Sequence, residues 1–420
     1  MSRTGPCIEF WSVQGQPRRR CGLADYVPGK WAETYCWHAL TVDIRSVGIE
    51  EEFLLVEPDT GEARAVAGAV MRAAAASESG SDTAGEDDSG AAEGPDYLEF
   101  ELQKQQVEIN TEPCVSLDDL GREVARCRID AASAAAKAGA GLAALGTSPM
   151  PVRPSITGNS RYHRMAQEFG LTAHEQLTCG CHVHVGVSSD EEGAAVLDRI
   201  QPWLAPLLAL SANSPFWQGT DSAYASFRYQ VWGRWPGSGP TQWFGSARAY
   251  ASAVQAMIDT ETVLDSGMVY FNARLSEHYP TIEIRIADVC LFPDDAVLIA
   301  ALVRALVETE ARAWRADPAG RPVRLELLSL AAWRASRSGL ESVLVHPVTG
   351  RPAPAREVVT ALLEQVRPAL DAAGDLATVT DLLDAVLSRG NGATFQRGLF
   401  RRESSFRSVV SGALERTLPS

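Results

Sequence analysis

Four short stretches of this chain place carboxylates, histidines or arginines where a half-buried strand ordinarily carries neutral side chains. In Gly48-Ile49-Glu50-Glu51-Glu52-Phe53, side chains alternate along an extended strand, so Glu50 and Glu52 share one face and Glu51 takes the other. Carboxylates that close repel each other unless water or a cation stands between them. Glu101 and Glu108, within the run Glu99 to Asn110, have opposite parity and meet on one face only if the strand bulges or turns between them. In Cys179-Gly180-Cys181-His182-Val183-His184 the two histidines share a face, a spacing that suits metal binding on a strand. In Thr281 to Asp288, Ile282, Ile284 and Ile286 face one way while Glu283 and Arg285 face the other. A polar strand edge or a structural ion pair accounts for any one of these stretches alone. Together they describe a sheet with one apolar face and one face of Glu, His and Arg, which needs cations to neutralise it. Carboxylate oxygens suit Mg2+, and an imidazole makes the site tolerant of Mn2+. Zinc fits poorly, because Cys-x-Cys-His lacks the two-residue gap and no second Cys/His pair follows it. Cys179 and Cys181 therefore read as small core residues.

These residues need strands to carry them and helices to back them. Ser46 to Glu57 reads as a strand ending at the turn signal Pro58-Asp59-Thr60-Gly61. Leu98 to Thr111 reads as one long strand or a bent pair, His182 to Val187 as a short strand, and Thr281 to Val289 as a strict alternation. Ser116 to Leu145 is expected as a helix opened by a capping box, with Leu120, Val124, Cys127 and Ala131 at helical spacing. Ser189 to Ala212 is a second helix that Pro202 and Pro206 should kink or split. Residues 213–245 form a long aromatic stretch without a period, the composition of a substrate wall or a packed loop. Helices follow at 294–316, about 321–336, 355–370 and 375–388. Few strands, separated by helices and charged on one face, indicate an α+β fold whose sheet is antiparallel or mixed.

Composition narrows the function classes. The 420 residues carry a formal net charge of -15 and no basic stripe interleaved with aromatics, which argues against nucleic-acid binding. Roughly half of that charge sits in the segment 77–96, which has seven acidic and no basic residues and is expected as a disordered acidic loop. Residues 1–40 show no period and are expected as a poorly ordered extension ahead of a catalytic domain over 41–416. Eight scattered cysteines suggest free thiols in a reducing compartment. No apolar run reaches membrane-spanning length, and Arg18-Arg19-Arg20 is followed by Asp25, Pro28 and Lys30 instead of an apolar signal core. The expected location is the cytoplasm. The Ala/Leu-rich helices can pack internally or between subunits, so a homo-oligomer stays open.

The strings GIEEEF, LQKQQVEINT, CHVHVGV and TIEIRIADV, in this order and spacing, resemble the type 2 glutamate–cysteine ligases, a carboxylate–amine ligase family. Leu210 to Pro240, and Gly390 to Ala393 followed by Gln396-Arg397, are similar to that family as well, so the resemblance covers about residues 44 to 416. The family is related in fold to glutamine synthetase. The resemblance therefore implies a curved antiparallel sheet, flanked by helices, whose concave face holds ATP and two or three divalent metals. It implies Glu50 and Glu52 as ligands of different metals, with Glu101 and Glu108 completing one site and His182 and Glu283 the other. The Glu101-to-Glu108 spacing is one residue shorter than in glutamine synthetase. Arg285 is implied beside the transferred phosphate, Arg228 and Arg397 as grips for a carboxylate, and His184 as a contact to nucleotide or substrate. The implied reaction is amide formation between an amino acid such as glutamate and an amine such as cysteine, through an acyl phosphate. Positioning and positive charge do that work more than a covalent protein nucleophile. Two other readings compete. A guanidino kinase would need a reactive cysteine, for which Cys290 is the candidate. A non-catalytic nucleotide- and metal-binding protein would bind ATP without turnover.

Overall fold

Val47 to Val56 form β1, the longest strand in the described part of this computed structural model, which comprises residues 44–79 and 95–419. The chain divides into two units, Met1–Cys36 and Trp37–Ser420, and every described residue belongs to the second. The extension read at 1–40 lies outside the described residues, as do residues 80–94 of the acidic segment.

Around β1 the sheet comprises β2 (Leu98–Phe100), β3 (Gln106–Asn110), β4 (Gly141–Ala143), β5 (Gly180–Gly186), β8 (Ala273–Leu275) and β9 (Thr281–Asp288). Two small hairpins stand apart from it, β6 (Phe216–Trp217) with β7 (Thr220–Asp221), and β10 (Val343–Val345) with β11 (Pro352–Pro354). The order in the large sheet is β2-β3-β1-β5-β9-β8, with β4 also on β1, and all the pairings are antiparallel. This is the expected α+β antiparallel architecture.

The helices are α1 (Ala67–Ser79), α2 (Leu117–Lys137), α3 (Ser160–Phe169), α4 (Leu171–Glu175), α5 (Asp190–Ser211), α6 (Arg228–Trp232) and α7 (Ala247–Asp259). They continue with α8 (Pro293–Ala316), α9 (Leu325–Ser338), α10 (Ala355–Ala373), α11 (Leu376–Arg389), α12 (Gly392–Glu403) and α13 (Phe406–Thr417). Among the described residues no helix is long and apolar enough to cross a membrane.

The two capping boxes form as read: Ser116 Oγ accepts from the Asp119 N–H and Ser189 Oγ from the Glu192 N–H. Two helix readings need correction. The Ala-rich run after Ser116 ends at Lys137 instead of Leu145, because Gly139 takes a left-handed φ of 68° and the chain turns back as β4 onto the end of β1. Pairing with β1 outweighs the helical propensity of those alanines. Conversely, α5 runs as one helix through Pro202 and Pro206. Each proline costs roughly 3 kcal/mol in a helix interior. Leu197, Ile200, Leu204, Leu207 and Leu208 are all buried, each contributing roughly 1.5–3 kcal/mol, so packing wins.

The back of the sheet sets Ile49, Val183, Ile282 and Ile284 against α5 and α8 in the largest apolar cluster. A second cluster joins Phe53 and Leu55 to α1, α2 and α13. A third, smaller one lies apart from both and gathers Leu102, Met165, Trp232, Trp235 and Met268.

Candidate functional site

The strand registers place the site. Glu50 sits between Asn110 of β3 and His182 of β5, and Glu52 opposite Glu108. His184 is opposite Glu283, and Glu283 is opposite Arg274 of β8. The parity of Glu101 is resolved by a turn: β2 stops at Phe100, the Gln106 N–H closes onto the Gln103 carbonyl, and β3 begins there. The alternation read for β1 holds in full. Glu51 points to the back, where Arg128 of α2 meets both its oxygens at 2.6 and 2.8 Å.

Two sets of ligand atoms gather on the front. Glu50, His182 and Glu283 form one and Glu52, Glu108 and His182 the other, each with its atoms within 4.8 Å of one another. His182 Nδ1 lies 3.2 Å from Glu50 Oε2 and 4.0 Å from Glu283 Oε1, while Nε2 lies 4.0 Å from Glu52 Oε1. With the proton on Nδ1, Nε2 carries a lone pair, and that buried atom has no hydrogen-bond partner. Burial, followed by the Arg285 charge, pushes His182 down to about 4, so the ring is a neutral donor near neutrality. Burial and then the charge of Glu101 push Glu52 up to about 7, and burial and then Glu50 hold Glu108 well above the usual range. Burial opposes ionisation of Glu50 too, but the His184 charge and the His182 hydrogen bond keep it well below the usual range. Carboxylates crowded until some retain protons, beside an unpartnered imidazole nitrogen, fit one or two divalent cations of the hard, oxygen-preferring kind.

Arginines hem in this acidic patch. Arg274 donates to Glu283 through Nε at 2.5 Å and Nη2 at 3.2 Å, and Arg285 Nη1 donates to the same carboxylate. Burial opposes, but the Arg274 and then Arg285 charges hold Glu283 far below the usual range. Arg285 Nε has no partner. Arg228, at the start of α6, is 2% exposed, lies 5.7 Å from the Trp232 ring centroid and 4.0 Å from Asp288, and leaves its own Nε unpartnered. Gly180 makes room for it: a Cβ there would stand 2.1 Å from Arg228 Nη2.

A cavity of about 160 Å³ opens between these groups, lined by Glu52, Glu101, His182, Arg228 and Arg285 on one side and aromatic side chains on the other. Glu101 reaches the cavity but stands outside both ligand sets, its Oε2 accepting from the Leu102 N–H at 2.7 Å. His184 sits behind the front row, Nδ1 3.1 Å from Thr281 Oγ1 and Nε2 2.9 Å from Glu50 Oε1. Arg397 is not brought to the cavity. It pairs with Asp221 at 2.6 Å and donates to the Tyr224 carbonyl, tying α12 to the β6–β7 hairpin.

Sequence reading missed Arg274, because β8 is three residues long and shows no period. It also missed Glu99, directly opposite Glu108, whose parity with Glu101 was the available signal. Cys290, the candidate for guanidine chemistry, is buried in the core behind the sheet, and its thiol is raised well above the usual range by a hydrogen bond with Cys181 and by burial. A nucleophile there could not reach the front.

The sequence model of the Glutamate-cysteine ligase family 2 matches residues 46–418. A protein of Streptomyces avermitilis, provisionally named glutamate–cysteine ligase 2-1, is 52% identical over 374 residues, covering 89% of this chain and 99% of that one. A counterpart in Streptomyces coelicolor, provisionally named glutamate–cysteine ligase 2, matches at 52% over 374 residues with the same coverage. Among solved structures, the glutamate–cysteine ligase of Francisella tularensis in complex with AMP superposes with a TM-score of 0.62 at 13% identity, covering 90% of this chain and 89% of that one. The bifunctional glutathione synthetase of Pasteurella multocida gives a TM-score of 0.64 at 15% identity over 89% of this chain. The match spans 52% of that longer protein. These structural likenesses speak to the fold.

Proposed function

The chain belongs to the Glutamate-cysteine ligase family 2 and is an ATP-dependent carboxylate–amine ligase, and from that premise we propose that it joins the side-chain carboxylate of glutamate to cysteine or a related amine through an acyl phosphate. The observation that carries this reading is the pair of ligand sets sharing His182, set against Arg228 and Arg285 across one cavity. Glu50, His182 and Glu283 would hold one Mg2+ or Mn2+ ion and Glu52, Glu108 and His182 another, supplying the charge that neutralises the phosphates of ATP during transfer.

The residues divide the remaining work. Arg285, with a free Nε at the cavity, meets charge building on the transferred phosphate. Glu283, held on its other flank by Arg274, keeps its place when Arg285 turns to that phosphate. Arg228, buried between Trp232 and Asp288, grips the carboxylate of the amino-acid donor. His184 positions Glu50, which it meets at 2.9 Å. The aromatic wall keeps water from an activated carboxylate that water would otherwise hydrolyse. Positioned charge supplies the catalysis and no covalent protein nucleophile is required.

The test is ADP release with MgATP, L-glutamate and a panel of amines, with Glu52→Gln as the blank. Release that requires glutamate and an amine, and that falls at least about 100-fold in Glu52→Gln, is expected, the scale of removing one charge-stabilising group from a site. ATP binding that depends on metal, without ADP release for any pair, would replace the ligase reading by the non-catalytic one. Wild-type turnover in Glu52→Gln would remove Glu52 from the metal site.

A further inference from the structure

The wall of the cavity opposite the carboxylates belongs to the third apolar cluster. Tyr162, Met165, Trp232, Trp235 and Tyr270 line the cavity there. Their rings brace one another, Trp235 on Tyr270 at 5.4 Å between centroids and Trp232 on Tyr270 at 6.5 Å. A prebuilt aromatic surface of this kind takes a planar or aliphatic group at little ordering cost.

The charges around the cavity are already committed. Among the described residues its cations are Arg161, Arg228 and Arg285. The ligase reading uses Arg228 for the donor carboxylate and Arg285 for phosphate. Arg161 donates through both Nε and Nη2 to Asp265 at 2.7 Å each. A second carboxylate in the cavity would therefore face Glu52 and Glu101 with no cation of its own, and an unpaired buried charge is costly. One polar group is open to the incoming amine: Gln176 spends Nε2 on Thr178 Oγ1 at 2.6 Å and keeps Oε1 without a partner. That oxygen can accept an amine N–H.

We propose that the acceptor is a primary amine whose substituent is uncharged, aromatic or aliphatic, and which carries no carboxylate of its own. This rests on the ligase reading above and sharpens its acceptor. In the step concerned, the amine nitrogen's lone pair forms the new C–N bond to the acyl carbon. The C–O bond to phosphate breaks with its electron pair on phosphate, and the amine gives up one proton to that phosphate. The acceptor's substituent lies along Trp235 and Tyr270 while Gln176 holds the nitrogen.

Matched pairs that differ only by the carboxylate decide the matter. ADP release and the mass of the amide product are measured for the wild-type enzyme with MgATP and L-glutamate, using cysteamine against L-cysteine and phenethylamine against L-phenylalanine. The amine lacking the carboxylate exceeds its amino-acid partner in kcat/KM by about tenfold or more in each pair, a difference of about 1.4 kcal/mol. Trp235→Ala lowers kcat/KM for phenethylamine more than for cysteamine, because the longer ring loses the surface it stacks on. Should Trp235→Ala fail to fold, the wild-type pair ratios still decide. Amino-acid partners that equal or surpass their amines overturn the proposal and leave the ligase reading standing. No release with any of the four amines overturns both.

Discussion

Arg128 offers a sharp test of how the sheet is held from behind. Its guanidinium and the Glu51 carboxylate are both fully buried. Arg128 also donates to the carbonyls of Cys290, Leu291 and Thr417 at 2.8, 3.3 and 3.0 Å, so one side chain ties β1, the segment after β9 and the end of α13 together. Arg128→Met keeps most of the length and removes every donor. It strands a buried carboxylate, worth roughly 3–5 kcal/mol when its partner is lost, and leaves three carbonyls short of a donor at about 1 kcal/mol or more each. The double variant Glu51→Leu/Arg128→Met still lacks the donors but no longer buries a lone charge. It should be more stable than the single variant by about 3 kcal/mol. Urea unfolding of the wild type and the two variants measures this directly. The stranded Glu51 adds a signature of its own: it folds more readily when protonated, so the single variant gains stability as pH falls from 8 to 5 while the double variant gains less. A double variant no more stable than the single one would refute the assignment of the cost to uncompensated charge.

The front of the sheet makes three further predictions. Burial and then neighbouring charge push both Glu52 and Glu99 up to about 7 and Glu108 higher, so between about pH 4.5 and 7 the metal-free fold holds more protons than the unfolded chain and loses stability as pH rises. His182, down to about 4, works the other way, but it is one group against three. Metal-stripped protein should therefore melt lower at pH 8 than at pH 5.5, and Mg2+ should remove most of the difference at pH 8; a Tm that rises across that range without metal would contradict the raised carboxylates. Gly180→Ala would drive a methyl into Arg228 and is expected to raise KM for glutamate by about tenfold or more, the worth of a charge-assisted hydrogen bond. An unchanged KM would separate Arg228 from the donor. Arg45 anchors the approach to β1 on Glu192, Glu308 and the Gly186 carbonyl, so a chain beginning at Thr41 should keep its Tm and turnover, and loss of either would show that residues before it contribute.

Much of the front face was legible because strand period is a local property. Glu50 with Glu52, His182 with His184, and Glu283 with Arg285 each follow from alternation within a few residues. The turn between Glu101 and Glu108 was readable as a parity conflict, although its position at 101–105 was not. What escaped depends on partners distant in sequence. Arg274 gains its meaning only when β8 lies against β9, and Gly180 only when α6 brings Arg228 over it. Arg397 looked like Arg228 in type and setting, and only the position of Asp221 shows that its charge is already engaged. The prolines of α5 misled for a similar reason: their local cost is visible in sequence, while the burial that offsets it is a property of the assembled core.

The alternation of Glu50, Glu51 and Glu52 has a consequence for how β1 finds its partners. A slip of one residue against β3 or β5 would turn Glu50 and Glu52 toward the isoleucines of the core and send Glu51 out to the ligand face. Arg128 could then answer only one of two misplaced charges. Three consecutive glutamates thus work as a proofreading code for the central strand, and an error in pairing is rejected before the flanking strands can close around it.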